Sequence, residues 1–347
     1  MHEPFESTGA QAPQQGLLLA IDVGGTKTQI ACYDVVRQHM NTRILATHAD
    51  GLSGVPALER ILEAARACVA EFGNVPVVSV AAVFPGVVRG PTLLMAPNTP
   101  GFEHLDLHGL IAQAFAGAPV ALDNDVKAGA LAEVRWGSLA GVDNAIYLNL
   151  GTGLSAAAIA NGKLIRGHNG AAMEIGYLLS PFLDPARPDQ WRTYEDGGAP
   201  LEELFSGSAL SQLAGEMLGH GHQALDLFTS VDPQVRKALE VRIIACAVQV
   251  ANLAVALDVE RIAIGGGLYR QASTLAPMIE RLIQRVVPFA PKIAAAHLTH
   301  DAPLWGALSM AMDAAGLNAI AQQVIAAGDA LYASEDSLEV RHVIDAQ

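Results

Sequence analysis

The chain has 347 residues with 21 Lys and Arg against 35 Asp and Glu, a formal net charge of −14, so a polyanion meets net repulsion and nucleic acid is excluded as a partner. With 51% hydrophobic residues but only 5% aromatic and 16% charged, the composition specifies a large aliphatic core and excludes disorder over most of the length. At about 100–200 residues per domain the length implies two domains, and Cys32, Cys68 and Cys246, outside any CxxC or His/Cys cluster, read as reduced core residues of a cytoplasmic protein.

Residues 1–16 read as a polar leader, without the basic n-region of a signal peptide, because the first basic residue is Lys27. Leu17 to Asp22 is a continuous apolar run ending in a carboxylate, the pattern of a strand buried on both faces. The glycine turn Val23-Gly24-Gly25-Thr26-Lys27-Thr28 follows, and Gln29 to Asp34 then alternates, so the turn is expected to close a hairpin. Leu58, Ile61, Leu62, Ala65 and Val69 predict a helix over 56–72, and Val75 to Val83 another buried strand. After the strand-like Pro119-Val120-Ala121, the segment Leu122-Asp123-Asn124-Asp125 opens an alanine-rich helix, Val126 to Val134. Asp125 is thereby placed at a strand end and helix start, where clefts form in α/β sheets; the competing reading is a simple helix cap from Asp123, Asn124 or Asp125.

A second copy of this grammar begins at Ala145 to Leu150, turns at Gly151-Thr152-Gly153, and continues as a strand from Leu154 to Ala160 closed by Asn161-Gly162. The repeat predicts two related halves facing each other across a cleft. A long helix is expected around 235–257; its apolar stretch Ile243 to Leu257, interrupted by Gln249 and Asn252, falls short of the ~20 residues of a membrane span and reads as buried. Arg261 to Ile264 then leads through Gly265-Gly266-Gly267 into a helix over 268–287, and 316–333 reads as a closing helix.

Glycine turns at buried strand ends are candidate phosphate sites, since the backbone can approach an anion and aim consecutive N–H groups at it. The P-loop pattern is not met, because Thr26 rather than Gly precedes Lys27. Gly151 to Ala156 matches GxGxxA, but a dinucleotide fingerprint opens a helix and this chain is expected to continue as a strand. Asp22, ending a buried strand, needs a metal ion or a donor-rich turn. Glu174, among the small and apolar residues of Gly170 to Gly176, marks either a recess for a polar ligand or a satisfied buried acid. His104, His108, His220 and His222 build no metal motif, and no GxSxG elbow occurs.

Together these residues resemble the ROK family of sugar kinases over roughly 17–312. The first phosphate motif is Asp22-Val23-Gly24-Gly25-Thr26-Lys27, the sugar loop Pro97-Asn98-Thr99-Pro100-Gly101-Phe102, the catalytic pair Asn124-Asp125 and the second phosphate motif Gly151-Thr152-Gly153. Asn161-Gly162-Lys163-Leu164 with Gly167 through Gly176 follow the family's glycine-rich signature, and Gly265-Gly266-Gly267 its adenosine loop. The resemblance implies an α/β, actin and hexokinase-like (ribonuclease H-like) ATPase fold of two lobes with a duplicated core and a cleft between them. The boundaries expected are a leader at 1–16, an N-terminal lobe at 17–123, a C-terminal lobe at 124–312, and a segment at 313–347 whose helix returns to the N-terminal lobe.

It also implies that Asp125 is the base for the acceptor hydroxyl, and that Gly86, Asn98, Asn124, Glu174, Tyr177 and Glu202 hold a sugar or sugar-like substrate. Asp22 would help position the Mg²⁺ that accompanies ATP, and the turns at Gly24, Gly25, Thr26, Lys27, Gly151, Thr152 and Gly153 would wrap the phosphates. Many family members follow Glu-x-Gly with His and a cysteine cluster that hold a structural zinc; here Tyr177 stands in that place and 178–206 contains no cysteine, so no zinc is expected. Without that histidine, and with Val87-Val88 where relatives often carry Pro-Val-Asp, acceptors such as modified amino sugars or cyclitols stay open beside glucose. Some relatives use polyphosphate as donor. A homodimer in the cytoplasm, with no membrane or nucleic-acid partner, is the implied state. The alternative is a non-catalytic, sugar-responsive regulator or sensor, whose relatives carry a helix-turn-helix domain ahead of the first strand; sixteen residues precede it here.

Overall fold

The structure, a computed structural model, describes residues 15–271, 275–298 and 301–335. Most of the expected leader, residues 272–274 inside the helix expected over 268–287, and the last residues of the 313–347 segment lie outside the described residues. The chain divides into two compact units, one running to Asp123 and resuming at Ala307, the other spanning Asn124–Gly306.

The first unit begins with β1 (Leu17–Val23), β2 (Lys27–Asp34) and β3 (His39–Ala46), then α1 (Gly54–Ala70), β4 (Val77–Phe84), the short hairpin β5 (Val87–Arg89) and β6 (Thr92–Leu94), α2 (Leu107–Ala114) and β7 (Val120–Asn124). Its sheet has the order β3-β2-β1-β4-β7. β1 and β2 pair antiparallel from Leu17↔Asp34 to Val23↔Thr28, so the turn at Gly24 joins a hairpin, as its alternating flank predicted. β1 pairs with β4 in parallel, and every β1 residue except Asp22 is buried, which is why the run reads as continuously apolar. Ala57, Leu58, Ile61, Leu62, Ala65 and Cys68 of α1 lie on its buried face and join Phe84, Leu93 and Phe102 in the core.

The second unit repeats the plan. It contains α3 (Asp125–Trp136), β8 (Ala145–Leu150), β9 (Leu154–Ala160), β10 (Lys163–Leu164), α4 (Gly207–Leu218), α5 (Ala224–Thr229), α6 (Pro233–Leu257), β11 (Arg261–Gly265), α7 (Gly267–Gln271), α8 (Leu275–Val286) and β12 (Lys292–Ala295). The order is β10-β9-β8-β11-β12, with β8 and β9 an antiparallel hairpin and β8, β11 and β12 parallel. The chain therefore leaves Gly153 as a strand, and the dinucleotide fingerprint does not form.

Of the helix expected over 268–287, α7 and α8 are described on either side of residues 272–274, which lie outside the described residues. One expectation needs correction. The helix expected near 235–257 is α6, 25 residues long from Pro233, with Asp232 accepting from the Gln234 N–H as its cap. At that length it is long and apolar enough to cross a membrane, contrary to the reading of Ile243–Leu257 as too short. It instead buries Val235, Leu239, Ile243, Cys246, Val250 and Ala254 in the core of this unit, as a core helix does. All three cysteines are free and buried.

The chain closes with α9 (Ala302–Ala315) and α10 (Ala321–Glu335). α9 passes from one unit to the other at Gly306/Ala307, where the sequence reading put the change after residue 312. On the second unit's side Gly306 packs directly on the Ala128 backbone, leaving no room for a Cβ; on the first unit's side the Ala311 carbonyl accepts from Ser79 Oγ at 2.6 Å.

Candidate active site

In the first unit, the Gly24 turn spends its carbonyls and spares its donors. Gly24 N–H donates to the Lys27 carbonyl at 3.0 Å, Thr47 N–H donates to the Thr26 carbonyl at 2.9 Å, and Thr47 Oγ1 donates to the Gly24 carbonyl at 2.7 Å. The N–H groups of Gly25 and Thr26 have no hydrogen-bond partner among the described residues, the arrangement an anion-binding turn requires. A Cβ on Gly25 would lie 2.9 Å from the Asn98 carbonyl oxygen, so the glycine lets the sugar-loop candidate lie directly against the turn, with Asn98 exposed.

Gly86, at φ +105°, borders the same loop: a Cβ there would meet Ala96 and the Leu94 and Met95 carbonyls at 2.9 Å. Glu103 Oε1 accepts from the Ala96 N–H at 2.8 Å and Phe102 is fully buried, which anchors the loop. Asp22 is half-buried near the end of β1, opposite Gln29 and Val83. Among the described residues no group of three or more His, Cys, Asp or Glu is arranged to hold a metal ion.

In the second unit, Asn124 ends β7 and caps α3, its Oδ1 accepting from Val126 N–H at 2.9 Å and Lys127 N–H at 3.0 Å. The capping role thus falls to Asn124. Asp125, the next residue, is half-buried, and its Oδ1 accepts from the Val126 N–H at 2.8 Å. Burial, aided by the charge of Glu174, pushes its carboxyl up to about 6, while the Val126 N–H and the Lys127 ammonium hold it down.

Glu174 opens the 3₁₀ turn Ile175–Tyr177 and lies 3.4 Å, through Oε1, from Lys127 Nζ. Burial raises its carboxyl too, against the pull of Lys127. Glu202 is tied back to the second glycine turn: its Oε2 accepts from Leu154 N–H at 2.8 Å, and a Cβ on Gly153 would lie 2.8 Å from that oxygen. The Leu201 and Glu202 N–H groups donate to the Gly176 carbonyl at 3.0 and 3.2 Å, which joins Glu202 to the Glu174 segment. Tyr177 packs edge to face on Tyr194 with centroids 5.7 Å apart, and burial together with Glu174 and Glu202 raises its hydroxyl.

The Gly151 turn repeats the logic of the first. Its Gly151 and Thr152 carbonyls accept from Gly207 N–H at 2.9 Å and Ser208 N–H at 3.0 Å at the start of α4, and the Thr152 and Gly153 N–H groups have no partner among the described residues. Beside it, Gly265 ends β11 opposite Asn149, and Gly266, at φ +93°, lies against the Leu150 backbone where no Cβ fits. Gly267 then begins α7 with open space around its Cα.

The structure therefore gathers Asn124, Asp125, Glu174, Tyr177, Glu202 and the Gly151 and Gly265 turns in one unit, and Asp22, the Gly24 turn, Gly86 and Asn98 in the other. Sequence reasoning missed Lys127 and Tyr194. Lys127 carried a signal: it is the one basic residue between Val126 and Val134, in a helix's first turn where a cation is disfavoured. Tyr194 carried none, lying in a Pro, Asp and Gly-rich segment. That segment is held by the reciprocal cap of Thr193 and Asp196, the Arg192–Glu203 ion pair and the bond from Trp191 Nε1 to the Asp184 carbonyl.

Residues 18–314 match the ROK family. An N-acetylmannosamine kinase of Escherichia coli O7:K1 is 30% identical over 303 residues, 85% of this chain and 98% of that protein. The ROK hexokinase from Thermus thermophilus superposes with a TM-score of 0.70 at 25% identity, covering 84% of this chain and 97% of that one. A ROK family glucokinase from Streptomyces griseus, solved in complex with glucose and AMPPNP, superposes with a TM-score of 0.66 at 26% identity, covering 86% and 100%. The two-sheet core with its paired glycine hairpins is the actin and hexokinase-like architecture of these kinases, and the chain belongs to the ROK family.

Proposed function

We propose that this protein is an ATP-dependent sugar kinase that phosphorylates a primary hydroxyl of a hexose or hexose-like acceptor, with Asp125 as general base. The observation that carries the reading is Asp125 itself, at a strand-to-helix junction, with a carboxyl raised to about 6 beside Glu174 and Lys127. A base of that strength is ionised at neutral pH and still accepts a proton as the hydroxyl attacks, a contribution of ~10²–10⁴ in rate. The new bond joins the acceptor oxygen to the γ-phosphorus, the bond from that phosphorus to the β,γ-bridging oxygen breaks, ADP carries the electron pair away, and the hydroxyl proton goes to Asp125.

Phosphoryl transfer asks mainly for positioning and charge stabilisation. The unspent N–H groups at Gly25, Thr26, Thr152 and Gly153 suit phosphate oxygens, and the Lys27 side chain adds a cation. Gly265 and Gly266 pack closely on Tyr147 and the Leu150 backbone, and Gly267 leaves open space that suits the adenosine. Asp22, beside the Gly24 turn, would be the carboxylate to hold the Mg²⁺ that accompanies the nucleotide, and the ion would supply charge neutralisation at the phosphates. Asn98, Asn124, Glu174, Tyr177, Glu202 and the backbone at Gly86 hold acceptor hydroxyls. The protein works in the cytoplasm, as a homodimer by analogy with its family, and without a structural zinc.

The test is a coupled assay for ADP release with ATP and Mg²⁺ over glucose, mannose, N-acetylmannosamine, free amino sugars and a cyclitol, with polyphosphate as a rival donor and Asp125→Asn as control. Turnover on one acceptor, lost in the variant, is the expected result. Sugar binding without turnover on any acceptor would instead favour a sensor, and full turnover by a folded Asp125→Asn protein would remove the base.

A further inference from the structure

Lys127 is the residue of this site that neither motif nor role has yet absorbed. Its side chain is 1% exposed, a burial that lysine almost never accepts without a partner, and the partner is Glu174, whose Oε1 lies 3.4 Å from Nζ. Glu174 is 25% exposed, so its carboxylate has a buried side toward Lys127 and an open side. A buried ion pair seldom stabilises more than an apolar pair of the same volume, because both charges lose their water. Its presence in an alanine-rich helix therefore calls for a reason beyond stability. The charged and titratable groups around Glu174 are Lys127 and Asp125 from α3, Glu202 from the segment ahead of α4, and Tyr177 from its own turn. Lys127 is the buried cation that pairs with Glu174 among them.

We propose that Lys127 is a positioning residue of the acceptor site: its buried ammonium engages Oε1 of Glu174 and so aims the second carboxylate oxygen at one acceptor hydroxyl. The identity of the acceptor rests on the kinase reading above; the ion pair does not. An ionised carboxylate only accepts hydrogen bonds, so a Glu174 held in that form demands a donor, a hydroxyl rather than a deoxy, ether or fluoro group. Without Lys127, burial and the neighbouring Glu202 favour the protonated form, which also donates, and the demand relaxes.

Two measurements test this. The first is a carbon-13 titration of glutamate-labelled protein, with Glu174 assigned by loss of its signal in Glu174→Gln. Lys127→Met is expected to move the Glu174 midpoint up by about one pH unit or more, a tenfold change in proton affinity, and Lys127→Arg to leave it near the wild-type value. An unmoved midpoint in Lys127→Met overturns the proposal, and this readout needs no turnover. The second is kinetic: Lys127→Met raises the acceptor KM about tenfold with the ATP KM unchanged, lowers discrimination against the fluoro analogue, and adds nothing in a Glu174→Gln background. An equal loss in that background, with acceptor KM unchanged, would mark Lys127 as packing alone and sink the idea.

If Lys127→Met does not fold, Lys127→Arg and the Lys127→Met/Glu174→Gln pair, which strands no charge, carry the kinetic comparison. In that case the double variant must match Glu174→Gln, and Lys127→Arg must keep the wild-type acceptor KM. Wild-type protein silent on every acceptor is a failure of the kinase reading, which the titration separates from a failure of this one.

Discussion

The two ends of α3 carry acids in different circumstances. Glu133, near the C-terminal end, is 0% exposed, and its carboxylate accepts from Ser138 N–H at 2.6 Å, His297 N–H at 3.1 Å and Leu298 N–H at 2.7 Å. It sews the end of the helix to a loop 164 residues later. Asp125, at the N-terminal end, accepts from the Val126 N–H, and burial together with the charge of Glu174 lifts its carboxyl to about 6 against the pull of Lys127. The contrast is between a carboxylate answered by three fixed backbone dipoles and one whose proton affinity burial raises, the setting the proposed base would need.

Breaking the reactive end should produce the largest effect. Asp125→Asn is expected to lower kcat/KM by ~10²–10⁴ in the ADP-release assay while the protein still melts cooperatively, because the amide oxygen can still accept from the Val126 N–H. Breaking the structural end should do the reverse. Glu133→Ala strands three backbone donors and is expected to cost at least about 3 kcal/mol in urea unfolding, with kcat of the folded fraction unchanged.

The comparison sharpens with pH. If Asp125 is the proposed base it must be ionised to act, so the acid limb of kcat/KM is expected at about 6 in the wild type. Stability runs the other way. The folded state holds the Asp125 proton up to about pH 6 and the unfolded chain only to 3.8, so folding is favoured at low pH and that advantage is lost as pH rises through 6. Asp125→Asn should therefore melt higher than wild type at about pH 8, with the difference vanishing below about pH 4. A variant less stable at every pH would show that Asp125 has a structural duty like that of Glu133.

A smaller effect is expected where the acids meet the second glycine turn. Gly153→Ala places a Cβ 2.8 Å from Glu202 Oε2 and should displace that carboxylate, raising KM for acceptor and ATP a few-fold, about 1 kcal/mol, without loss of fold. Initial-rate kinetics at saturating co-substrate would detect it, and unchanged constants would place Glu202 outside the site.

Much of this fold was legible because its signals are local. The hairpins at Gly24 and Gly151 follow from an apolar run, a glycine turn and an alternating run within a short stretch of chain, and β8 and β9 fall where that pattern put them. β3 was not legible: His39–Ala46 carries Asn41, Thr42 and Arg43 and is only half-buried along the sheet edge. At the site, Asp125 and Glu174 could be named from their neighbours, but the cap could have been any of three polar residues until Asn124 was seen to accept both N–H groups.

The sequence alone determined the α/β class, the duplicated strand-turn-strand units and the family, because those rest on residue types at short, fixed spacings. Tertiary structure alone decided which groups surround each acid. Lys127 and Glu174 stand 47 residues apart and Glu133 and Leu298 stand 165 apart, and no periodicity links them. Proton affinity depends on the water lost and the dipoles gained at one point in space, and those are supplied by whichever segments the fold brings there.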